Sequence, residues 1–120
     1  MENRGVVTVR ESLGRLASEG FAAVPASNLG GLAAACDDEC EQTGEGCFAI
    51  LALTFRELSH WWLENDEAGG IPAALVLDLE ALLTQGLQAT IAASEPASAA
   101  SRAGRLRRNI RRILLDSGRW

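Results

Sequence analysis

The sequence predicts an all-α fold, one bundle of about five helices with two apolar helices at its centre. Three observations carry this expectation. Between Cys47 and Asn65, the residues Phe48, Leu51, Phe55, Leu58 and Trp62 recur at steps of three and four, the period of one helix face. A second run, Leu75, Val76, Leu79, Leu82, Leu83, Leu87 and Ile91, follows a helical period too. Breaks bearing glycine or proline separate the runs, and no stretch reads convincingly as a strand beyond a possible short one at Val6–Val9.

The first helix is expected over residues 8–19. Thr8 and Glu11 have the spacing of a capping box, Val9, Leu13 and Leu16 form an apolar stripe, and Gly20 suits a left-handed end. Before it, Val6 and Val7 are available to cover a neighbouring element. The linker from Phe21 to Ser27 is apolar and interrupted by Pro25, which predicts extended chain lying over the core. Ser27 is the expected cap of a second helix, 28–42, with Leu29, Leu32, Ala33, Cys36 and Cys40 on one face. Asp37, Asp38, Glu39 and Glu41 crowd its C-terminal half, the end where the helix dipole disfavours acids, so this run needs cationic partners.

The central helix is expected over 47–65, after the turn Thr43–Gly46. The fourth, 72–94, opens with Pro72 in its first turn, and Gly86 on its buried side marks a close helix crossing. The segment Ser94–Ser98 breaks the chain. The fifth, 98–117, carries Ala99, Ala103, Leu106, Ile110 and Ile113 on one face and arginines elsewhere.

A chain of 120 residues suits a single helical domain spanning 1–120, able to bury one modest core. All the basic residues are arginine, which points to GC-rich coding and a bacterial source. Charge is uneven: residues 1–101 hold four arginines against fifteen acids, a balance of −11, while residues 102–120 hold seven arginines against one acid, a balance of +6. No stretch is apolar enough to span a bilayer, the N-terminus has no signal-peptide core, and the three cysteines are an odd number. These features predict a cytoplasmic protein without membrane contact or a disulfide framework.

Two constellations have the residue types of a metal site. Cys36, Cys40 and Cys47, with His60, supply the donor set that zinc favours, although the spacing differs from the usual paired cysteines on turns. Glu57 and His60 form a Glu-x-x-His pair on one helix face, the arrangement that di-iron bundles use twice; one copy is present here. The leading expectation is that no cofactor is bound, with iron or zinc as the alternative. No phosphate-cradling glycine loop, nucleophile triad or dinucleotide fingerprint is present.

The surface signals are stronger. Arg105, Arg107, Arg108, Arg111 and Arg112 make the last helix basic, and its expected counterpart is the acidic run Asp37–Glu41, within the chain or across a dimer. Trp61 and Trp62 are adjacent, so one helix cannot bury both against the same neighbour; Trp61, beside His60, is assigned to a partner surface. The expected function is a non-enzymatic protein–protein interaction module, a small subunit, adaptor or neutralising partner that binds another protein or itself. The alternatives are a metal-binding helical protein and nucleic-acid binding through the last helix.

Overall fold

The helices begin and end where local chemistry directs them. The structure is a computed structural model that describes residues 8–119, so the expected roles of Val6 and Val7 lie outside the described residues. Helix α1 (Val9–Glu19) starts at Thr8, whose Oγ1 accepts the Glu11 amide at 3.1 Å. Glu11 reaches back to the Thr8 hydroxyl, at 3.2 Å, instead of to its amide. The helix stops at Gly20, which has φ of 64° and donates its amide to Leu16 O.

The linker is not extended. It coils into two 3-10 turns, Gly20–Ala22 and Ala26–Asn28, which let it remain against the core while its amides find local acceptors. Ser27 therefore lies inside a turn, and Asn28 occupies the cap position without a side-chain bond. Helix α2 (Leu29–Thr43) ends at Gly44, left-handed at φ 74°, whose amide donates to Cys40 O at 2.8 Å. Helix α3 spans Gly46–Glu67 and α4 spans Ala73–Ala92. Helix α5 (Pro96–Asp116) starts earlier than expected, because Pro96 itself fits the first turn, where its missing N–H costs nothing.

Neighbour contacts run α2–α3–α5–α4–α1 and back to α2. With extents of 45 × 31 × 23 Å, the domain is two helix layers thick: α2, α3 and α5 form one layer, and α1 and α4 the other. Helix α3 is the middle of its layer and has nine buried positions, while α4 buries Leu79, Leu83, Leu87 and Thr90. Buried residues of all five helices join one hydrophobic cluster.

Two placements differ from the sequence expectation. Ile91, assigned to the core stripe, is 52% exposed, because it lies round the helix from buried Thr90, off the side of α4 on which Leu79, Leu83 and Leu87 meet the core. Of the paired tryptophans, Trp61 is the core residue at 2% exposure and Trp62 the partly covered one. Helix α5 packs on the Trp61 side of α3, whereas Trp62 turns to Phe21 of the linker, ring centroids 5.3 Å apart. The expected close crossing is present: a Cβ on Gly86 would lie 2.6 Å from Leu106 Cδ1. Buried Thr54 and Thr90 satisfy their hydroxyls on carbonyls one turn back, Ile50 O and Gly86 O, each at 2.8 Å.

Candidate functional site

The arginines of α5 divide by direction. Helix α5 buries Ala99, Ala103, Leu106, Ile110 and Leu114, which leaves three flanks for charge. On the α3 flank, Arg107 Nε donates to Glu57 Oε1 at 3.0 Å, and Arg111 Nε lies 3.9 Å from Glu57 Oε2. On the α4 flank, Arg102 donates to Ala89 O at 2.8 Å, satisfying a carbonyl in the last turn of α4. The outward flank carries Arg105, Arg108 and Arg112, all exposed and without a hydrogen bond or ion pair to any described residue. Their steps of three and four align them in one ridge.

The acidic run pairs elsewhere than expected. Asp37 binds Arg56 of α3, and Glu39 binds Arg10 of α1 at 3.1 Å, while Glu45 also takes Arg10 at 2.7 Å. Because α3 stands between α2 and α5, no α5 arginine reaches Asp37–Glu41 within the chain. Asp38 and Glu41 remain exposed without an ion-pair partner among the described residues. The helix-dipole conflict in α2 is thus met by Arg10 and Arg56.

Glu57 and His60 stay on the same helix but face different partners. Glu57 is engaged by α5, whereas the His60 side chain is 77% exposed, its Nε2 lying 3.0 Å from Glu64 Oε1. All three cysteines are free thiols: Cys36 and Cys47 are buried and Cys40 is half-buried. Burial, reinforced by Asp37 and the nearby Cys47 thiol, pushes the Cys36 thiol up to about 12. Burial and the Glu45 charge also raise the Cys47 thiol, against the opposing effect of Arg10. Both shifts favour the thiol over the thiolate, the nucleophilic form, at neutral pH. No three His, Cys, Asp or Glu side chains converge on a metal-sized position among the described residues.

A cavity of about 240 Å³ opens where the ends of α1, α3, α4 and α5 meet, floored by Leu13, Phe48, Leu51 and Leu87. Its charged groups, Arg10 and Glu45, are paired with each other, and the Arg10 guanidinium sits over the Phe48 ring at 4.9 Å. No unpaired charge is left there to orient a polar ligand.

Sequence reasoning missed one surface. On the outward side of α3, Leu53 is 43% and Leu63 57% exposed, flanking His60 between the α2 and α5 ridges. The available signal was their position off the stripe formed by Phe48, Leu51, Phe55 and Leu58. No described helix is long and apolar enough to cross a membrane. Compared with known proteins, the chain matches no family model, no curated protein and no solved structure.

Proposed function

We propose that this protein is a non-enzymatic protein–protein interaction module that docks through the outward ridge of α5. The observation that carries the reading is the division among the arginines: Arg102 and Arg107 have partners within the fold, whereas Arg105, Arg108 and Arg112 have none among the described residues. Three aligned guanidiniums in a chain of net charge −5 favour an acidic protein surface as the counterpart. A polyanion such as nucleic acid would gain the same three contacts but meet repulsion from the acidic body, and α5 has no aromatic residue between Pro96 and Asp116 on which a base could stack. Free thiols and the arginine-only basic set support a bacterial, cytoplasmic setting.

The test is a photo-crosslinking residue at position 108, introduced in the cells that make the protein. The expected product is a discrete, nuclease-resistant protein adduct, lost when Arg105 and Arg112 are changed to Glu, with none from the same probe at exposed Ala22. A nuclease-sensitive adduct would reassign the ridge to nucleic acid, and the absence of any adduct would remove the reading.

A further inference from the structure

The layer of α2, α3 and α5 presents a polarised outer face. Arg56 ties α3 to α2 through Asp37, and Glu57 ties it to α5 through Arg107, so the outward stripe of α3 runs between the two flanking helices. On one side stand the acids Asp38 and Glu41, without an ion-pair partner among the described residues; on the other stand Arg108 and Arg112; between them lie the exposed Leu53 and Leu63. An acidic ridge, a strip that mixes Leu53 and Leu63 with the exposed His60–Glu64 pair, and a basic ridge in that order bring opposite ridges together under one operation. A two-fold axis parallel to α3 places the acidic ridge of each copy on the basic ridge of the other, whereas an axis perpendicular to α3 in the same plane would set like charges together.

We propose that this face is the interface of a homodimer, in which α2 of each copy lies against α5 of the other and Leu53 and Leu63 meet their counterparts near the axis. This deepens the interaction reading by naming the partner as a second copy, and it rests on that reading. The dimensions suit it. The 22 residues of α3 extend about 33 Å, and three adjacent helices are roughly 25 Å wide, on the order of 800 Å² per copy, the size of a standard interface. The two-fold pairing also supplies partners to the charges that have none among the described residues of one chain, the acids near the C-terminus of α2 included.

Charge reversal tests both the contact and its symmetry. Light scattering on the purified full chain is expected to give twice the chain mass of 12.7 kDa. The Arg108→Glu/Arg112→Glu variant and the Asp38→Arg/Glu41→Arg variant should each raise the dimer dissociation constant at least about tenfold, with unchanged helical circular dichroism, because each sets like charges face to face. Mixed together, the two variants should form a heterodimer, since every facing ridge is then again opposite in sign. A wild-type monomer at submillimolar concentration, a dimer indifferent to both reversals, or variants that do not recover on mixing would each overturn the proposal. A monomer that still gives a protein adduct from position 108 would overturn the homodimer alone and leave the interaction reading standing.

Discussion

Glu80 Oε2 accepts the Phe21 amide at 2.8 Å, and the same carboxylate occupies the space that a side chain on Gly20 would need, with a Cβ there only 2.5 Å from it. One carboxylate of α4 thus holds the first linker turn just past the glycine that ends α1. Gly20→Ala is expected to destabilise the fold by about 2–4 kcal/mol, combining a strained positive φ with displacement of Glu80 from its donor. Glu80→Ala alone should cost about 1–2 kcal/mol. In urea denaturation the double variant should fall short of the sum, because both changes break the same bond; additive losses would refute the shared contact.

At the crossing of α4 and α5, Gly86 meets Leu106, which is 2% exposed. Alanine at position 86 would favour the helix by about 1 kcal/mol but press on Leu106 from Cβ to Cδ1, so a net loss of about 1–2 kcal/mol is expected. Adding Leu106→Val should recover part of it. A Gly86→Ala variant more stable than the parent in thermal denaturation would mean the helices separate without cost.

Cys36 makes stability depend on alkaline pH. Its thiol rises from an ordinary 9.0 to about 12 in the folded protein, so above pH 9 the unfolded chain gives up a proton that the folded chain retains. The stabilising contribution is complete below pH 9 and should fall by about 1.4 kcal/mol per pH unit up to about 12. Denaturation midpoints across that range should therefore decline less steeply for Cys36→Ala than for the parent, after allowing for the lower starting stability of the variant. Thiol labelling should reach half-buried Cys40 first and Cys36 last.

The Glu57–Arg107 pair lies at the edge of the α3–α5 contact, its side chains 27% and 31% exposed, so water still reaches it and its energetic contribution is small. A double-mutant cycle with Glu57→Gln and Arg107→Gln should give a coupling of about 0.5–1 kcal/mol that weakens with salt. A coupling above about 2 kcal/mol would mark the pair as a structural necessity instead of an orienting contact.

Periodicity and local chemistry by themselves determined the helical class and most helix ends. Phe48, Leu51, Phe55 and Leu58 had to share a face wherever the helix went, because 3.6 residues per turn leaves them no other geometry. Thr8, Gly20 and Gly44 act on amides and carbonyls a few residues away, and Gly86 announced a close approach that Leu106 completes. Only the tertiary structure decided relations between helices. Trp61 and Trp62 stand on adjoining sides of one helix, and the position of α5 determines which of them is core. The pairing of Arg10 and Arg56 with the acidic run, and of Arg107 with Glu57, follows from the helix order α2–α3–α5, which holds α5 away from Asp37–Glu41. A helix face is set by nearest neighbours along the chain, whereas the partner of a charge or an indole is set by which helix lies beside it, and no local interaction carries that information.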